Sequence, residues 1–400
     1  MKVILAFSGG LDTCFCVQYL IEKGYEVITL TLDSGGFSDE DIDYIKNRSE
    51  ELGAKKHYFK DIKKELFDEI GSKIIKANGL YQGVYPLMCS DRYLFPMYLN
   101  EIASKENTNI IAHGCTNTGN DQFRIEITAS CFYPGLKIIA PVKELGITRD
   151  EEIRYLEKKG FSIPDKVKKY TINKNIFGVT LSGSEVDENK EIPEDAWIIS
   201  KLKKNNEEYV EIGFDKGIPV TLNGKKLEGY KLLEKLNKIA GAHGYGRNVY
   251  VEDEILGIKG RQAFEAPGMI LLIEAHKALE KLTLTREQLW IKSSLEYKWA
   301  ELAYLGKLYD PVMENIESFI NSTQEVVTGK VKMKLENKTA FLCGVHSENG
   351  LIDESIATYA QKAKWTGSEV NSFQKFYSLQ QKIFKTINQN ESKKTLGKKL

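Results

Sequence analysis

Lys2-Val3-Ile4-Leu5-Ala6-Phe7, followed without a break by Ser8-Gly9-Gly10-Leu11-Asp12-Thr13, is the stretch that decides the fold. Mostly apolar, β-forming residues stop at a serine and two glycines, and an amphipathic helix starts at once with Leu11, Val17, Leu20 and Ile21 on one side. The first backbone amides of such a helix have no partner inside it, and the helix dipole adds partial positive charge there. The glycines let the main chain come close to an anion, while Ser8 and Thr13 add hydroxyl donors. A pyrophosphate group suits this arrangement. The spacing excludes a Walker loop, which needs Lys-Ser/Thr where Leu11-Asp12 stand, and a dinucleotide fingerprint, which needs three spaced glycines.

The hexapeptide resembles the SGGxD[ST] loop of the ATP pyrophosphatases, enzymes that cleave ATP to AMP and pyrophosphate while adenylating an oxygen of their substrate. An ordinary strand-turn-helix is the bland alternative, and six fitting positions after an N-terminal strand weigh against it.

The rest of the composition fits a multi-domain enzyme. A chain of 400 residues exceeds what one core usually supports. Lys+Arg and Asp+Glu balance at 56 each, so no global field draws the chain toward nucleic acid or a membrane. No apolar run is long enough to span a bilayer, and Met1-Lys2 leads into the first strand without a signal peptide, so a cytoplasmic location is expected. The six cysteines (Cys14, Cys16, Cys89, Cys115, Cys131 and Cys343) form no CxxC and no zinc spacing, which predicts free thiols. The basic tail from Lys393 to Leu400 reads as a solvated terminus.

Strands near Glu26 to Leu32, Lys56 to Phe59, Asn109 to Ala112 and Leu136 to Ala140 alternate with helices near Asp39 to Leu52, Asp61 to Lys76 and Asp91 to Ser104. Such alternation predicts an α/β fold with a doubly wound parallel sheet, covered on both faces and binding ligands at the carboxyl ends of its strands. After about Pro164 the texture becomes α+β. Hairpins are expected at Tyr209 to Val220, Asn248 to Lys259 and Lys330 to Val345; helices are expected at Gly229 to Ile239, Met269 to Leu279, Arg286 to Leu305 and Glu369 to Ile387. The stretches Glu185 to Glu194 and Lys201 to Glu208 read as solvated loops. The expected organisation is a nucleotide-binding domain at 1–164, an α+β substrate domain at 165–365, and a C-terminal oligomerisation helix and tail at 366–400.

A second segment, Ala112-His113-Gly114-Cys115-Thr116-Asn117-Thr118-Gly119-Asn120-Asp121-Gln122-Phe123-Arg124-Ile125-Glu126, follows a buried strand and offers donors and acceptors suited to a small amino acid. With the phosphate loop, Tyr170 to Asn175, Ala240 to Arg247, Gly257 to Arg261 and Glu265 to Gly268, it resembles argininosuccinate synthase in order and spacing, over nearly the whole chain. The resemblance implies joining of citrulline and aspartate. The ureido oxygen attacks the α-phosphorus of ATP, pyrophosphate leaves, and the aspartate amine displaces AMP.

Carried over residue by residue, the resemblance places ATP at Ala6, Phe7, Ser8, Gly9, Gly10, Leu11, Asp12, Thr13, Cys14, Leu32 and Gly114. It places aspartate at Thr116, Asn120 and Asp121, although a lysine usual in that loop falls at Thr118. The citrulline pocket drifts. Tyr85, Ser90, Arg124 and Glu252 match, but two serines become Thr171 and Thr180, a tyrosine becomes Phe264, GT[SA]LARP becomes Met88 to Leu94 with Cys89 for a threonine, and GQ becomes Gly35-Gly36. A threonine keeps its hydroxyl in a smaller pocket, whereas Tyr to Phe leaves a substrate group unpaired at a cost of about 1–3 kcal/mol.

Two functions are therefore weighed: citrulline–aspartate ligation with a variant pocket, and adenylation of another carbonyl or ureido acceptor with a different amine or a sulfur donor. A non-catalytic relative is disfavoured by the complete phosphate loop. ATP and Mg²⁺ are the expected cofactors, with Asp12 orienting the metal or capping the helix. His113 and Asp121 are considered as proton acceptors, and no general base is assigned. Cys14 opens a helix, where the dipole favours thiolate; that and Cys89 are what the sulfur-transfer alternative needs. The apolar stripe Phe373, Phe376, Tyr377, Leu379 and Ile383, read with the resemblance, predicts a homo-oligomer, a tetramer.

Overall fold

The structure, a computed structural model, describes residues 1–162, 171–182, 186, 190–359 and 362–396. The expected boundary near Pro164, part of the Glu185 to Glu194 loop and the last four residues of the basic tail lie outside them. The chain divides into two compact units, Met1–Gly350 and Leu351–Leu400.

In the first unit, β1 (Lys2–Ala6), β2 (Glu26–Asp33), β3 (Lys56–Asp61), β4 (Ile110–Ala112) and β5 (Lys137–Ile139) form a parallel sheet in the order β3-β2-β1-β4-β5. The doubly wound expectation holds. Val3, Ile4 and Leu5 of the central strand are fully buried, as a strand covered on both faces requires. Strand order reverses between β1 and β4, so their carboxyl ends open the crevice where such sheets take ligands. Helix α1 (Leu11–Glu22) leaves β1 through the Ser8–Gly10 turn and buries Leu11, Phe15, Val17 and Leu20. Helix α2 (Asp39–Glu51) starts at a Ser38–Asp41 capping box.

Two expected helices differ in detail. The Asp61 to Lys76 helix is interrupted by a π turn at Phe67–Gly71. The Asp91 to Ser104 helix is a 3₁₀ turn, Met88–Tyr93, followed by an α-helix at Phe95–Lys105. Pro96 lies in the first turn of that helix, where its missing N–H costs nothing. Helices at Asp121–Phe132, Arg149–Lys158 and Pro311–Gln324 stand where the sequence reading placed none.

Beyond the parallel sheet, β6 (Thr171–Asn175), β7 (Gly178–Ser182), β11 (Arg247–Asp253) and β12 (Lys259–Glu265) form an antiparallel sheet ordered β11-β12-β7-β6. Its register sets Phe264 opposite Thr180. A second antiparallel sheet, ordered β10-β9-β8-β13-β14, comprises β8 (Glu208–Asp215), β9 (Ile218–Leu222), β10 (Lys225–Lys226), β13 (Gly329–Glu336) and β14 (Thr339–His346). In the second unit, the expected single helix is two, Gly367–Tyr377 and Leu379–Leu396, parted at Ser378. Phe373, Phe376, Tyr377, Leu379 and Ile383 are all exposed. No helix among the described residues is long and apolar enough to cross a membrane.

Candidate active site

The turn after β1 is held by its own side chains. Gly10 N–H donates to Ser8 Oγ (3.3 Å), Thr13 Oγ1 donates to Gly10 O (3.1 Å), and the Ser8 and Thr13 hydroxyls lie 3.4 Å apart. Gly9 occupies the left-handed region at φ +71°, which sharpens the turn at no steric cost to glycine. Gly114, at the end of β4, backs directly onto this loop: a Cβ there would lie 3.2 Å from Thr13 Cγ2. Phe7 is buried, and Leu32 of the neighbouring β2 is 7% exposed. The Asp12 carboxylate is one-third exposed and lies 4.0 Å from Arg149 Nη1. Behind it the Glu152 carboxyl is buried, and burial together with the neighbouring Asp12 charge pushes its pKa up to about 9.

The loop after β4 builds the second half of the crevice. Thr116 Oγ1 accepts the Gly119 N–H (3.2 Å), closing a tight turn. Asn120 Nδ2 donates to Tyr304 Oη (2.9 Å) and its Oδ1 accepts the Ile255 N–H (3.0 Å). Asp121 is gripped on both oxygens, by Arg124 Nη1 on Oδ1 and Arg92 Nε on Oδ2, each at 2.9 Å. Burial opposes its ionisation, but the two guanidiniums outweigh that and hold the carboxyl below its ordinary value. Asp121 is thus a poor base. Both ring nitrogens of His113 are engaged, Nδ1 by the Cys115 N–H (3.3 Å) and Nε2 by Glu126 Oε1 (3.1 Å), so this histidine is not free to take a substrate proton.

Around Glu252 the expected acceptor residues gather in an aromatic enclosure. Tyr250 and Tyr304 both donate to Glu252 Oε2 (2.7 Å each), and Tyr304 stacks on Tyr81 with ring centres 3.7 Å apart. Tyr85 stands edge-on to Phe264 at 5.6 Å, and its hydroxyl lies 3.4 Å from Thr180 Oγ1. Ser90 Oγ is buried with no hydrogen-bond partner among the described residues. Thr171 opens β6, and its side chain lies outside the described residues. Among the described residues no group of three or more His, Cys, Asp or Glu could hold a metal ion.

The loop after β1 and the loop after β4 thus meet at one reversal of strand order, in contact at Gly114. The family models agree: residues 2–162 match the arginosuccinate synthase N-terminal HUP domain and residues 170–384 match the arginosuccinate synthase C-terminal domain. The chain belongs to the argininosuccinate synthase family. It is 41% identical to the argininosuccinate synthase of Methanocaldococcus jannaschii over 386 residues, covering 95% of this chain and 97% of the relative. The relative from Dictyoglomus turgidum is also 41% identical, covering 96% and 97%. So is that from Pyrococcus furiosus, covering 95% and 93%. A solved structure described as a predicted subunit of tRNA methyltransferase from M. jannaschii has a TM-score of 0.28 at 18% identity, covering 40% of this chain and 74% of that one, too slight a likeness to use.

Burial pushes the Cys14 thiol up to about 11 and the Cys89 thiol up to about 12, which fits buried space-filling thiols and not the thiolate carrier that the sulfur-transfer alternative needs. Desolvation of a charged sulfur outweighs the dipole. Beside Phe264, Tyr250, on the strand paired with β12, and Tyr304 bring two hydroxyls to Glu252. Sequence reasoning missed Arg92, Tyr250 and Tyr304. The departure from family pattern at Met88 to Leu94 was the available signal for Arg92; nothing local marks the tyrosines.

Proposed function

We propose that this chain joins citrulline to aspartate at the expense of ATP, giving argininosuccinate, AMP and pyrophosphate. The observation that carries the reading is the meeting of the β1 phosphate loop with the β4 loop at the switch point of the sheet. In the first step the ureido oxygen attacks the α-phosphorus and the bond to pyrophosphate breaks. In the second, the aspartate amine attacks the activated carbon, AMP leaves, and the amine proton passes to solvent.

The amides of Ser8–Thr13 and the two hydroxyls receive the leaving pyrophosphate. Thr116, Asn120 and Asp121 take aspartate; Tyr85, Ser90, Arg124, Thr180 and Glu252 take citrulline, with Phe264, Tyr250 and Tyr304 shaping the pocket. A Mg²⁺ that arrives with the nucleotide would need only one or two carboxylates besides phosphate oxygens, and Asp12 is the carboxylate this loop offers. Bound there, Mg²⁺ would neutralise charge on the phosphates. Residues 1–164 supply the nucleotide half and 165–365 most of the acceptor half. The exposed apolar stripe of the last helices serves assembly into a homotetramer, and a cytoplasmic location suits the substrates.

Pyrophosphate release should require citrulline, and AMP should accumulate one for one with argininosuccinate when aspartate is added. Cys14→Ser and Cys89→Ser should retain most of this activity. A citrulline-independent reaction lost in either serine variant would restore the sulfur-transfer reading.

A further inference from the structure

The Arg92 guanidinium ties together three segments that are far apart in sequence. Its Nε donates to Asp121 Oδ2 (2.9 Å), its Nη1 to Asp91 Oδ2 (2.9 Å) and its Nη2 to Asn173 Oδ1 (3.2 Å), and its face lies over the Phe95 ring at 4.9 Å. Asp91 is in turn tied to the loop after β2 by the Ser34 hydroxyl (3.1 Å). Asp121 is the only part of this chain of contacts assigned to a substrate. Arg124 cannot orient it alone: Nε and Nη2 of Arg124 are spent on the Tyr304 carbonyl (3.1 and 2.9 Å), leaving one contact on Oδ1. A carboxylate held through a single oxygen still turns about its χ2, a broad and weakly restrained torsion. Held through both oxygens by separate guanidiniums, it is fixed in plane and keeps a second lone pair on each oxygen for a ligand. The two arginines and two aspartates also sum to zero charge, so the cluster is compensated before any substrate arrives.

We propose that Arg92 is a positioning residue for the amine donor: it pre-sets the Asp121 carboxylate that receives the amino group of aspartate. The inference rests on the assignment of Asp121 to aspartate made above. It predicts a defect in aspartate binding that spares ATP, because Arg92 makes none of the contacts that hold the β1 phosphate loop.

The test is calorimetric titration of aspartate into the full-length enzyme loaded with citrulline and a non-hydrolysable ATP analogue, alongside steady-state kinetics. Arg92→Ala should weaken aspartate binding about tenfold or more and raise its KM in parallel, while kcat and the KM for ATP stay within about threefold. Arg92→Lys, which keeps the charge and loses the planar fork, should recover part of the loss. If Arg92→Ala does not fold, Arg92→Lys decides alone, with wild-type aspartate affinity overturning the inference. A folded Arg92→Ala enzyme with unchanged aspartate affinity, or with the KM values for ATP and aspartate rising together, overturns it as well. Failure of the wild type itself to bind aspartate would instead overturn the assignment of Asp121.

Discussion

At Gly9 the backbone sits at φ +71°, where a side chain is strained, and a Cβ would also press on Ile45 at 3.1 Å. Gly10, at φ −74°, is in ordinary extended backbone, and a Cβ there meets only Ser8 Oγ at 3.3 Å. The neighbouring glycines therefore fail differently. Gly9→Val should destabilise the fold by about 1 kcal/mol or more, whereas Gly10→Val should fold and lose pyrophosphate release because its side chain projects into the phosphate site. Thermal melts and a pyrophosphate assay separate the two, and a folded Gly10→Val protein with wild-type turnover would contradict the loop assignment. This part of the site was legible in sequence because one strand, one turn and one helix start supply it within a dozen residues. Tyr304 was not, since its hydroxyl meets Asn120 and Glu252 only after long-range folding. The thiolate alternative for Cys14 shows the same limit: a helix start is visible in sequence, and the burial that outweighs it is not.

The helix Arg149–Lys158 shows what an element adds. Its Thr148–Glu151 capping box fixes where it begins, and that start turns Glu152 inward behind Asp12 while Arg149 stays at the surface. Inside the fold the Glu152 carboxyl holds its proton up to about pH 9, against an ordinary value of 4.5. The folded chain therefore carries an extra proton across that window, so stability is fully present below about 4.5 and is lost as pH rises toward 9. Glu152→Gln keeps the shape and removes the titration. Its melting temperature should fall less than that of the wild type between pH 5 and pH 9, with the relative gain growing toward the upper end. Parallel pH profiles would refute a buried neutral carboxyl. Elements with a strong local pattern, such as α2 and the β8–β9 hairpin, were readable from periodicity. The helix Arg149–Lys158, with few apolar residues, was not, and the broken Asp61 to Lys76 helix has a continuous apolar pattern that hides its π turn.

At the scale of the larger unit, Met1–Gly350, two kinds of sheet carry the residues of the proposed site. The parallel sheet carries the β1 and β4 loops; the antiparallel β11-β12-β7-β6 sheet carries Glu252 on β11 and sets Phe264 opposite Thr180 by register rather than by nearness in sequence. The first sheet follows from β-α alternation. The second is less readable, because antiparallel partners such as β12 and β7 lie some eighty residues apart and only the local hairpins announce themselves. The central claim is that this combined site activates the ureido oxygen of citrulline on the α-phosphorus of ATP. Citrulline labelled with ¹⁸O at the ureido position tests it most directly, in a reaction with ATP and aspartate followed by mass spectrometry of the AMP. The account predicts one ¹⁸O transferred to the phosphate of each AMP formed. AMP formed without the label, or argininosuccinate formed with ADP in place of AMP, would contradict it.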